Sequence, residues 1–127
     1  MIKIIGKRIN NNRGFTLFEV ILVLTILGII AIIAVPKFMN IQADAKSKAD
    51  EATAVNIAKA GELACIQNPN EIIDIDYLVD NDYLDKEPKA QKKDETGFII
   101  SVNSDGKITV NYSGENGSQL YPINNSK

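Results

Sequence analysis

The sequence predicts an α+β protein. One long N-terminal α-helix, membrane-spanning in its first half and amphipathic in its second, packs on a small antiparallel β-sheet. Three observations predict this. An apolar run occupies Phe15 to Val35, helical spacing of apolar and small residues continues to Ile66, and two short β-rich runs near the C-terminus flank a turn. The expected organisation is a basic leader at 1–14, an apolar helix at 15–35 and a globular part at 36–127.

The apolar run is broken only by Thr16, Glu19, Thr25 and Gly28. At 1.5 Å per residue its 21 positions span roughly 30 Å, the hydrocarbon thickness of a bilayer. It is apolar on every face, and no second apolar segment exists to surround it as a core helix. Lys3, Lys7, Arg8 and Arg13 precede the run, whereas all 16 acidic residues lie at or after Glu19. That asymmetry predicts a single-pass protein with a cytoplasmic N-terminus and the remainder outside the membrane. A secretory signal cut after Ala34 fits poorly, because Ile32 stands where a small residue is wanted and Pro36 follows closely.

Glu19 is the one charge in this run. A carboxylate costs roughly 2.5–3.5 kcal/mol at the centre of a membrane helix and less near an end, so it reads as functional. It closes the string Arg13-Gly14-Phe15-Thr16-Leu17-Phe18-Glu19. Glycine at position 14 lets a protease approach the backbone closely, with no Cβ in the way. This string resembles the N-terminal cleavage motif of type IV pilins and pseudopilins, which implies a cut after Gly14. Such a cut would remove the basic leader and create a cationic amine at Phe15. Phe15 and Glu19 are four residues apart, on one helix face. That amine can offset part of the desolvation cost of the Glu19 carboxylate, within one chain or between neighbouring chains. The Thr16 hydroxyl can hydrogen-bond near this pair or bond its own helix backbone.

This basic leader, glycine, phenylalanine, threonine, leucine and acid ahead of an apolar helix resembles the N-terminus of type IV pilins and type II secretion pseudopilins. The likeness is strong from about Arg13 to Pro36. The resemblance implies cleavage between Gly14 and Phe15 by a membrane prepilin peptidase and N-methylation of Phe15. It further implies extraction from the membrane, through an assembly platform and a cytoplasmic ATPase, into a self-associated helical filament on the cell surface. In that filament Phe15, Thr16 and Glu19 serve subunit assembly, with Glu19 of one subunit meeting the Phe15 amine of the next. Gly28 and Pro36 are the points where such helices kink or unwind. Pro36 removes a backbone bond and clashes with the carbonyl of Ile32, which by itself predicts a kink.

Beyond Val35, Phe38, Ile41, Ala45, Ala49, Ala52, Val55, Leu63 and Ile66 fall on one helical stripe, interrupted by Lys48 and Lys59. This stripe is expected to face the sheet, and the helix to end near Ile66. Asn68-Pro69-Asn70 is a break signal. Residues 71–84 then read as a short helix or turn-rich segment, and Lys86 to Thr96 as a loop. Strands are expected within 97–112, joined by the turn residues Asn103-Ser104-Asp105-Gly106. Leu120, Tyr121 and Ile123 can dock the tail, giving a sheet of two to four strands.

The rest of the composition mainly excludes. The chain of 127 residues has no histidine and one cysteine. It therefore lacks an intramolecular disulfide, a zinc or haem ligand set, and the histidine-based nucleophilic triads. No cofactor and no enzyme activity are expected. The part after the leader holds 10 basic against 16 acidic residues, so a basic stripe for nucleic acid is missing. Asp74, Asp76, Asp80, Asp82 and Asp85 could hold calcium, but the spacing is not that of an EF-hand loop, and capping or solubility explains them as well. Cys65, off the apolar stripe, reads as a small, partly buried apolar residue. The expected function is a structural subunit of a type IV pilus. The alternatives are a pseudopilin of a secretion or DNA-uptake machine, or a single-pass anchored binding domain that does not polymerise.

Overall fold

The computed structural model describes residues 14–92, 94–114 and 117–123. Apart from Gly14, the leader lies outside the described residues. The elements run α1 (Leu17–Gln67), α2 (Ile75–Asp80), β1 (Phe98–Val102), β2 (Ile108–Tyr112) and β3 (Gln119–Tyr121), an α+β layout. Two compact units are present, Met1–Phe38 and Met39–Lys127, and α1 contributes to both.

In the first unit the apolar residues of α1 from Leu17 to Val35 are all largely exposed, Ile32 to 76%. This part of the helix is long and apolar enough to cross a membrane. Burial in protein cannot be what selected such a surface, whereas contact with lipid or with other helices would reward it.

In the second unit a three-stranded antiparallel sheet has the order β1-β2-β3. Phe98 pairs with Tyr112 and Val102 with Ile108, so β1 and β2 form a hairpin in which Ile100 and Val110 face the core together. Its loop is closed by the Asn103 N–H donating to the Lys107 carbonyl at 2.9 Å and the Gly106 N–H to the Asn103 carbonyl at 2.8 Å. β3 joins β2 across a register shift at Val110/Asn111 and brings Leu120 into the core.

The sheet packs against a face of α1 different from the expected stripe. Asp50, Ala54, Ile57, Ala58, Gly61 and Ala64 are the buried residues of the helix, while Leu63 is 49% and Ile66 78% exposed. Phe38, Ile41, Ala45, Ala49 and Ala52 are exposed as well, and Val55 is half-buried. The physical reason is closeness. A Cβ added at Gly61 would lie 2.5 Å from Cδ1 of Ile100 and 3.2 Å from Cδ1 of Ile108. Large side chains on the strands fill the space that small residues on the helix leave open, which is how facing layers interdigitate. The helix face with the larger apolar residues therefore points away from the domain's own core.

Segment 71–84 contains a single short helix between turns. Asp74 caps α2, its Oδ1 accepting the Tyr77 N–H at 2.7 Å. Leu78 is fully buried, and Tyr83 ties the segment to the end of α1, donating from its hydroxyl to Gln67 Oε1 at 2.6 Å.

Candidate functional site

The candidate site is the start of α1. Gly14, Phe15 and Thr16 are non-helical, and the helix begins at Leu17. The Thr16 carbonyl accepts the Val20 N–H at 3.2 Å, the first bond of the helical ladder, which makes Thr16 the N-cap. Its hydroxyl oxygen accepts the Glu19 N–H at 3.2 Å. In return the Glu19 carboxylate accepts the Thr16 N–H at 3.0 Å through Oε2. This reciprocal pair is a capping box, which satisfies two N–H groups that a helix start otherwise leaves open.

Of the two possibilities for the Thr16 hydroxyl, the bond to its own helix backbone is the one formed. The carboxylate that looked unpaired thus has a partner within its own chain. The N-terminal end of a helix dipole also favours an anion at this position. The signal was present in the sequence as Thr-x-x-Glu immediately before an apolar run. Reading Glu19 only as a membrane charge hid it.

Phe15 is 88% exposed and precedes the cap, while Val20 is the fourth residue of the helix. Phe15, Glu19, Val20, Val23 and Leu24 line one shallow groove. The positions of Phe15 and Val20, one before the cap and one four residues into the helix, are those a hydrophobic staple uses, and Phe15 here stays largely exposed. A Cβ added at Gly14 would meet nothing within 4 Å, so the backbone there is open. Gly28 and Pro36 both lie inside α1, and the residues between them are helical.

A family model described as the prokaryotic N-terminal methylation motif matches residues 9–35. The N-terminal part of the chain is similar to type IV pilins. Over 41 residues it is 54% identical to the type IV major pilin protein PilA of Myxococcus xanthus, a match covering 32% of this chain and 18% of that one. Over 55 residues it is 38% identical to the type IV narrow pilus major component PilA5 of Thermus thermophilus, covering 43% and 47%. The matched segment spans less than half of either relative's own length. No solved structure matches the chain significantly.

Elsewhere in the chain the sequence reading missed Asp50. It is fully buried in α1 and accepts the backbone N–H groups of Gln91 at 2.7 Å and Lys92 at 2.9 Å and the Tyr112 hydroxyl at 2.9 Å. One carboxylate thereby ties the 86–96 loop and the end of β2 to the long helix. The Lys92 ammonium sits 5.2 Å from the centroid of the Tyr112 ring. Burial, then the bond to Asp50 and the charges of Asp50, Glu95 and Glu51, push the Tyr112 hydroxyl above its ordinary pKa of 10.0. The partners of Asp50 lie 41 to 62 residues away in sequence, so no local pattern marks it. Among the described residues no group of three His, Cys, Asp or Glu side chains is placed to hold a metal. In the acidic cluster, Asp74 is a helix cap and Asp82 adopts a left-handed backbone turn. Cys65 is half-buried against the core and free.

Proposed function

We propose that this protein is a structural subunit of a type IV pilus. The observation that carries the reading is the methylation motif over residues 9–35, with Gly14–Phe15 and Glu19 opening an apolar helix that its own domain leaves uncovered. Prepilin peptidase cuts between Gly14 and Phe15 on the cytoplasmic side, the Phe15 amine is methylated, and the subunit waits in the membrane with its C-terminal domain outside. The assembly machine then moves it into a filament, where contact with neighbouring helices replaces contact with lipid.

Glu19 has two acceptor oxygens, and Oε2 takes the Thr16 N–H. In the assembled filament a neighbour's Phe15 amine joins it, setting axial register. Unwinding between Gly28 and Pro36 belongs to the same step. The role assigned is structural, with no catalytic part.

Mass spectrometry of the mature protein tests this directly. A chain beginning at methylated Phe15 is expected, and a chain beginning at Met1 would overturn the reading. Electron microscopy supplies the second arm. Surface filaments are expected in the parent strain and absent from a deletion strain, and a Glu19→Leu strain is expected to retain the subunit in the membrane without filaments. Short filaments confined to the envelope would instead indicate a pseudopilin.

A further inference from the structure

The cap lies one residue after the bond that the proposed peptidase would cut, and its placement assigns it a job. We infer that Thr16 is a positioning residue for processing: as the N-cap of α1 it ends the helix short of Gly14–Phe15 and presents that bond in a non-helical conformation. This inference rests on the processing reading above and deepens it.

The argument begins with what a peptidase needs. A peptide bond inside a helix has its carbonyl and N–H engaged in the ladder, whereas cleavage requires a backbone free to be gripped in an extended form. The membrane helix follows immediately, and an apolar helix in lipid gains a hydrogen bond for each residue by which it lengthens. Something must therefore stop it. Here the Thr16 hydroxyl takes the Glu19 N–H, and the Glu19 carboxylate takes the Thr16 N–H. Extension of the helix by one turn would require Thr16 to adopt helical geometry and to give up this reciprocal pair. The N-cap residue is by nature non-helical, so the residues before it lie outside the ladder.

Phe15 lies before the stop and is largely exposed. The result is a scissile bond one residue before the cap, with an open backbone at Gly14. Cleavage there leaves the box intact, because the Thr16 N–H belongs to the Phe15–Thr16 peptide, which survives the cut. The same cap then holds Glu19 in place in the mature chain.

The test uses the full-length chain in lipid nanodiscs with purified prepilin peptidase. Wild type, Thr16→Ala and Thr16→Asn are compared by initial cleavage rate and by the Cα chemical shifts of Gly14 and Phe15. Thr16→Ala, which removes the capping oxygen and favours helix, is expected to slow cleavage by up to about fivefold, the scale of a lost N-cap. It is also expected to move both shifts towards helical values. Thr16→Asn shares the capping oxygen but not the shape of threonine, and it is expected to restore both readouts. Cleavage of Thr16→Ala at the wild-type rate would overturn the inference, as would slow cleavage that Thr16→Asn leaves slow. A wild-type chain that is not cut at Gly14–Phe15 would overturn the processing reading itself, so the two failures are distinct.

Discussion

Asp50 brings a carboxylate into the core of the C-terminal unit and finds three donors there. A buried acceptor with that many partners is expensive to remove, because the buried Tyr112 hydroxyl is left without a partner and the Gln91 and Lys92 N–H groups lose theirs. Asp50→Ala is expected to lower unfolding stability by about 3 kcal/mol, measured by denaturant titration of the full chain in detergent. Tyr112→Phe removes a single donor and is expected to cost about 1 kcal/mol. Tyr112 also sets an alkaline limit. Its hydroxyl keeps its proton above pH 10.0 in the folded protein, whereas the unfolded chain releases it there. Stability is therefore expected to hold below pH 10 and to fall as pH rises beyond it. Tyr112→Phe should flatten that alkaline fall. An unchanged slope in Tyr112→Phe would show that another group governs it.

At the scale of elements, the contact between α1 and the sheet depends on the absence of a side chain at Gly61. Gly61→Leu is expected to destabilise by about 2 kcal/mol or more, since Ile100 and Ile108 already occupy the space. Gly61→Ala is expected to be milder. The end of Ile100 can rotate aside, and alanine gains about 1 kcal/mol over glycine in helix propensity. Thermal melts of the two variants should show this order, and equal melting temperatures would argue against close packing at Gly61. A stricter case is Gly117, where a Cβ would lie 2.1 Å from the Tyr112 carbonyl oxygen. That neighbour is backbone in the sheet and cannot rotate away, so Gly117→Ala is expected to disturb the pairing of β3 with β2.

Legibility at this scale divides by range. The hairpin could be read because turn residues and β-rich runs are adjacent in sequence. The helix length could be read from continuous spacing and the break at Asn68-Pro69-Asn70. The buried face could not. Ranking residues by hydrophobicity chose the stripe through Leu63 and Ile66, and the sheet selected small residues for close approach instead.

At the scale of the whole molecule, two units obey opposite rules. The second buries a conventional core built from Ala54, Ile57, Leu78, Ile100, Val110 and their neighbours. The first leaves its apolar helix exposed. The full chain is accordingly expected to remain in the membrane pellet after alkaline carbonate extraction, and its release into the soluble fraction would contradict a spanning helix. The methylation motif matches residues 9–35, which end before the second unit begins at Met39, and the proposed assembly function rests on that N-terminal part.

By itself, the sequence determined the apolar helix, the charge asymmetry around it, the Gly14–Phe15 junction with Glu19, and the hairpin. Each is a local pattern whose physics acts over a few residues or through the surrounding solvent. Only the tertiary structure decided which face of α1 is buried, that Asp50 joins helix, loop and strand, and that β3 completes the sheet. These depend on contacts between residues far apart in sequence, where fit and hydrogen-bond partners outweigh hydrophobicity alone. The capping box stands between the two. Its residues were legible as a motif, and the geometry revealed that Thr16 and Glu19 hold each other.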